Sequence, residues 1–136
     1  MRTCGICAGD VTPWYIRKKC PIVLGHEPAG EIVEVGSEVR DYQPGDRVFF
    51  HHHAPCFACR HCRRGRYNMC PTWRSSQLVP GAAAQYVLVP QVNLEGDTLR
   101  LPDDMSWADG TLIEPLACVV QAFRKARLSP GERVAI

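Results

Sequence analysis

Four cysteines, Cys56, Cys59, Cys62 and Cys70, stand at C-x2-C-x2-C-x7-C in a stretch of mostly polar and basic residues. Four thiolates at this spacing can close a tetrahedral shell around Zn²⁺. A segment this poor in apolar side chains needs such a staple, because it cannot bury enough surface to hold itself together. The spacing therefore predicts a structural zinc. An iron–sulfur cluster is the rival reading, since three close cysteines and a distant fourth followed by Pro71 also suit one; disulfides rank third. A second set of donors is scattered along the chain. Gly25-His26-Glu27-Pro28-Ala29-Gly30 sets an imidazole beside a carboxylate in what reads as a small-residue turn, and both groups ligate zinc. Cys7 lies upstream of it and Glu114 far downstream, in an apolar segment. Cys4 and Cys7 form a C-x-x-C without a matching pair nearby, so Cys7 alone is read as a ligand. Asp10 suits two tasks, orienting a ligating histidine through its free ring N–H or capping a helix that starts near Val11. His51-His52-His53 also invites a metal reading, but consecutive residues of a strand point to alternate faces, so the run is read as non-ligating. His61 reads as a solvated neighbour of Cys62.

The elements that must position these donors are short. An alternating apolar run from Glu31 to Val39, with Ile32–Val35 as strand and Gly36-Ser37 as turn, is followed by the turn Pro44-Gly45-Asp46 and a strand at Arg47–Phe50. The cysteine lobe, about 51–75, comes next. Ala82–Val89 reads as a strand ended by Pro90, with further short strands at Val92–Leu94 and Leu99–Leu101. Many short strands with turn signals favour a compact β-barrel-like domain. From Ser106 the pattern turns helical: Ser106-x-x-Asp109 resembles a helix start. Apolar residues keep helical spacing from Thr111 to Leu128, with an interruption at Glu114-Pro115 where Pro115 opens a second helix. Arg133–Ile136 opens a β-strand, and none of the 11 glycines forms G-x-G-x-x-G, so the sequence carries no dinucleotide fingerprint.

At 136 residues and a formal charge of +2 the chain suits a single domain with a real core, and the charge is too small to suggest nucleic acid. The cluster Arg60, Arg63, Arg64 and Arg66 is local and forms no long basic stripe. No apolar run of about 18 residues is present, and Met1–Asp10 lacks the pattern of a signal peptide. The expectation is a cytoplasmic protein with neither nucleic-acid nor membrane partner, whose eight cysteines are reduced ligands and small buried residues.

Taken together these residues resemble the zinc-dependent medium-chain alcohol and polyol dehydrogenases. Gly25-His26-Glu27-Pro28-Ala29-Gly30 with Gly36 and Val39 fits that family's zinc signature, and Gly5-Ile6-Cys7-Ala8-Gly9-Asp10 its first-ligand segment. Pro44–Val48 resembles its turn before the lobe, and Ile113-Glu114-Pro115-Leu116 the last-ligand segment of the sorbitol and threonine dehydrogenase branch. The resemblance implies a mainly β fold with some helix. In it a GroES-like, partly open β-barrel carries the zinc lobe and occupies residues 1–128, N-terminally truncated. Connecting helices at about 106–128 lead into a truncated Rossmann domain, of which 129–136 is the first strand. It implies Cys7 and His26 as catalytic zinc ligands, Glu27 and Glu114 as third-ligand or water-mediated partners that exchange, and Asp10 as the anchor of His26. The reaction implied is hydride transfer from an alcohol, polyol or amino-alcohol to NAD or NADP by a homo-dimer or homo-tetramer. This chain by itself would be an inactive fragment; the opposing expectation is a free-standing zinc module that acts through a partner protein. One departure stands out. Many members carry Ser or Thr two residues after the first ligand to start a proton relay, and here that position is Gly9. Glu114 in place of a third cysteine leans toward polyols, secondary alcohols or amino-alcohols such as threonine.

Overall fold

The computed structural model describes residues 1–135. A four-stranded antiparallel sheet runs in the order β1 (Thr3–Gly5), β2 (Glu27–Glu31), β3 (Arg47–Phe50) and β4 (Thr98–Arg100). The register pairs Gly5 with Glu27, Ala29 with Phe49, and Phe49 with Leu99. Residues of β3 alternate between two cores, as the two-residue period of a strand requires. Val48 and Phe50 pack with Leu78 and Ala82, while Phe49 packs on the other side with Ala29 and Leu101. Both faces are covered, which is why Val48-Phe49-Phe50 is apolar without interruption.

Around the sheet lie short helices: α1 (Ala8–Val11), α2 (Pro13–Arg17), α3 (Pro71–Ser75), α4 (Gln91–Asp97), α5 (Trp107–Thr111) and α6 (Ile113–Ala126). The start of α5 matches the sequence reading, with the Ser106 hydroxyl accepting from the Asp109 N–H at 3.0 Å. Gly110 lets α5 press on the sheet. A Cβ there would meet Leu101 Cδ1 at 2.9 Å and Ala29 Cβ at 3.1 Å. Arg47 ties the same corner down, donating to the carbonyls of Pro102, Asp103 and Met105 while its guanidinium lies 4.3 Å from the Trp107 ring centroid.

Several expected elements differ. Gly25–Gly30 is no turn, because Glu27–Glu31 is strand β2, and the expected strand at Ile32–Val35 falls outside any strand. Tertiary pairing decided this: small Ala29 and Gly30 fit between β1 and β3, and the more apolar run after them leaves the sheet. Ala82–Val89 forms no strand, and its only ladder contact is an isolated bridge between Val79 and Leu88. Val92–Leu94 lies inside helix α4, which Pro90 opens as N-cap. The helical break falls at Leu112, not at Glu114-Pro115; Pro115 sits in the first turn of α6, where the missing N–H has no intrahelical partner in any case. The expected barrel is a four-stranded sheet with β1 and β4 at its edges. Of the expected Rossmann strand, Arg133–Ala135 carries no strand and Ile136 lies outside the described residues. Among the described residues no helix is long and apolar enough to cross a membrane.

Two candidate metal centres

The loop between β3 and α3 folds around sulfur. Cys56, Cys59, Cys62 and Cys70 bring their Sγ atoms within 4.8 Å of one another, with 3.5 Å between Cys59 and Cys62 and 3.6 Å between Cys56 and Cys70. Four sulfurs about 2.3 Å from one ion stand roughly 3.8 Å apart at the edges of a tetrahedron, so this spacing fits a single zinc ion. The separations are too long for S–S bonds of about 2.05 Å. They also suit one ion better than an iron–sulfur cluster, in which cysteines reach different iron atoms. Local geometry builds the pocket. Phe57 turns the chain at φ +53°, Gly65 turns it again at φ +67°, and short 3-10 helices cover Cys62–Arg64 and Tyr67–Met69. Burial raises the Cys70 thiol, but the N–H groups of Cys56 and Trp73 and the thiols of Cys56 and Cys62 outweigh it and bring the pKa down to about 5. Burial together with the other three thiols pushes Cys62 up to about 12. A thiolate is thus already favoured at Cys70, as a cation site requires.

The second centre draws on the starts of two elements, α1 and β2. Cys7 is the N-cap of α1, His26 immediately precedes β2, and Glu27 is the first residue of β2. A Cys7 sulfur, a His26 ring nitrogen and a Glu27 oxygen all lie within 4.8 Å of one another. Gly5, opposite Glu27 across the strands, makes this possible: a Cβ there would meet Glu27 Oε2 at 2.0 Å. Asp10 caps no helix starting near Val11; it is the third residue of α1, whose N-cap is Cys7. Its Oδ2 accepts from the Cys7 N–H at 3.3 Å, closing the cap of α1, and stands 3.6 Å from His26 Nδ1. Glu27 is 8 % exposed. Its burial raises its pKa; the His26 charge opposes this, while Glu114 and Asp10 add to it. Glu114, in the first turn of α6, is therefore close enough for its charge to act on Glu27, but it is not one of the converging donors. It accepts instead from the Cys118 thiol at 3.4 Å. Beside the donors opens a cleft of about 250 Å³ lined by Cys7, Gly9, Thr12, Trp14, Tyr15 and His26. A larger hollow of about 310 Å³ at the end of α6 is lined by Phe123, Leu128, Ser129, Pro130, Glu132 and Val134, with no donor cluster.

The histidine run corrects the alternation argument, because β3 ends at Phe50 and the three rings are not on a strand. They gather instead. His52 lies with its centroid 4.5 Å from His51, 3.9 Å from His53 and 5.2 Å from His26. His51 Nδ1 pairs with Asp97 at 2.9 Å, and His53 Nδ1 meets the Ser76 carbonyl at 2.7 Å. Sequence reasoning missed Thr12, Trp14 and Tyr15 as residues of the cleft, and it missed the steric part Gly5 plays beside Glu27. Only Gly5 carried a legible signal, as a small residue just before a ligand candidate.

Residues 1–103 match the alcohol dehydrogenase GroES-like domain family. The chain belongs to that family. It is similar to an uncharacterised zinc-type alcohol dehydrogenase-like protein, YdjJ, of Escherichia coli, with 40 % identity covering 97 % of this chain and 40 % of that protein. Sorbitol dehydrogenase of Bacillus subtilis is 36 % identical over 97 % of this chain and 38 % of its own length. Among solved structures, galactitol-1-phosphate dehydrogenase of Escherichia coli is 34 % identical with a TM-score of 0.71, covering 91 % of this chain and 36 % of that one. This GroES-like chain thus spans about 40 % of the length of the curated relatives it matches.

Proposed function

We propose that these residues form the metal- and substrate-binding portion of a zinc-dependent oxidoreductase that oxidises an alcohol or polyol with NAD(P)⁺ bound elsewhere in the protein. The supporting observation is the convergence of Cys7, His26 and Glu27 within 4.8 Å beside a cleft of about 250 Å³. A structural zinc site closes itself with four protein ligands, as the cysteine lobe does; mixed donors at the edge of a cleft leave a position open. In this reading Cys7, His26 and Glu27 hold a catalytic zinc, with Glu114 positioned to exchange with Glu27. A zinc ion held there supplies Lewis acidity, lowering the pKa of a hydroxyl brought to it.

The chain's own residues do the rest. Asp10 favours the tautomer with the proton on His26 Nδ1 and leaves Nε2 for the metal. Glu27, buried beside two other acids, gains most from a cation placed among them. Gly9 supplies no hydroxyl to the cleft, whereas Thr12 does; its Oγ1 donates to the Ala8 carbonyl at 2.6 Å, which leaves its lone pairs to accept a hydrogen bond from the substrate side. Reduced thiols at both centres suit the cytoplasm.

The test is a metal count. The purified chain should carry two zinc ions by plasma emission spectrometry and the His26→Ala variant one, with the lobe intact. In the complete protein His26→Ala should lose alcohol-dependent reduction of NAD(P)⁺. Two zinc ions in the variant, or turnover at the unsubstituted rate, would sink the reading.

A further inference from the structure

Arg17, Lys18 and Lys19 follow one another at the end of α2, all exposed, and none forms an ion pair among the described residues. The two lysines lie against the aromatic wall of the cleft. Lys18 Nζ is 5.5 Å from the Trp14 ring centroid and Lys19 Nζ is 4.4 Å from that of Tyr15, and both rings line the cleft with Cys7 and His26.

Charge is unevenly divided along this cleft. Asp10 and Glu27 stand at the donor end of the cleft, beside His26. An anionic group at the aromatic rim meets cations that no carboxylate among the described residues pairs. Held against aromatic rings, these ammonium groups have no competing carboxylate to surrender before binding a ligand's anion. A small molecule that satisfies both ends carries a hydroxyl at one and a negative group at the other.

We propose that the substrate of this cleft is an anionic alcohol, a hydroxyl compound bearing a phosphate or carboxylate, with the anionic group held by Lys18 and Lys19. The hydroxyl end of this assignment rests on the zinc reading of Cys7, His26 and Glu27; the anionic end rests on the lysines alone.

The experiment titrates the zinc-loaded, ¹⁵N-labelled chain with sorbitol, sorbitol 6-phosphate and gluconate, following the Trp14 indole resonance, and counts zinc in the same samples. Sorbitol 6-phosphate or gluconate should bind at least about tenfold more tightly than sorbitol, with the preference shrinking as salt rises; which of them binds tells phosphate from carboxylate. The Lys18→Gln/Lys19→Gln double variant should bring the ratio close to one while leaving the zinc count unchanged, since exposed positions tolerate such changes. Equal binding of all three compounds, no saturable shift with either anion, or a preference that survives the double variant would each overturn the inference. Two zinc ions without a preference for anions would remove the anionic class and leave the zinc reading standing. A preference in a chain holding only the lobe zinc would keep the lysine rim and remove the zinc reading.

Discussion

The His52 ring is enclosed by three other imidazoles, and its Nδ1 is buried without a hydrogen-bond partner. Burial, reinforced by His51, His53, His26 and Lys19, lowers its pKa to about 2. The unfolded chain, with an ordinary histidine near 6.5, binds more protons than the fold between those values. Stability contributed by neutral His52 is therefore complete above pH 6.5 and is lost as pH falls toward 2. His52→Phe, which keeps an aromatic ring and cannot take a proton, should narrow the stability difference between pH 7 and pH 5 measured by urea unfolding; an unchanged difference would show that His52 does not titrate with folding. Asp46 has the opposite character of group and the same direction of pH dependence. The Gln43 N–H and the Arg100 guanidinium, each 3.0 Å away, hold its carboxyl below the usual range, so Asp46 stabilises above pH 4 and stops doing so in acid.

Strand β2 shows how an element, once paired, overrides its own composition. Glu-Pro-Ala-Gly-Glu has poor strand propensity, yet it lies between β1 and β3 because small side chains permit both contacts. The same closeness governs α5. Gly110→Ala should cost about 1–3 kcal/mol, because the added methyl must displace Leu101 or Ala29 in a packed core, and urea unfolding at neutral pH would measure it. Ser106→Ala should cost about 1 kcal/mol through loss of the bond to the Asp109 N–H. Phe57, Tyr67 and Met69 are 54 %, 45 % and 42 % exposed, so packing gives the lobe little, and a zinc ion held by its four thiols would supply the larger share of its stability. Cys59→Ser should lower the zinc count by one and leave amide exchange fast across 56–70 while the sheet stays protected; an unchanged count would refute the four-thiolate assignment.

The 136-residue chain carries no G-x-G-x-x-G and spans about 40 % of the length of its relatives. Calorimetric titration of this chain with NAD⁺ or NADP⁺ should accordingly show no saturable heat, and a stoichiometric isotherm would contradict the expectation. The lobe was legible in the sequence because its ligands lie within one short stretch, where spacing alone restricts how far the sulfurs can separate. Helix α5 was legible for the same reason, since its cap and first turn are neighbours in sequence. The strands between residues 27 and 100 were read less well, because pairing partners lie far apart and short apolar runs serve helix, strand and loop alike. By itself the sequence determined which atoms are available: four clustered thiols, a further thiol, an imidazole and its adjoining carboxylate, all of them local chemistry. Only the tertiary structure decided which of them meet. Antiparallel pairing of β1 with β2 brings the region of Cys7 back to His26 and Glu27, leaves Glu114 outside the converging donors, and gathers His51, His52 and His53 beside them. That outcome depends on strand register and on the space left by Gly5, and neither is encoded in the spacing of the ligands themselves.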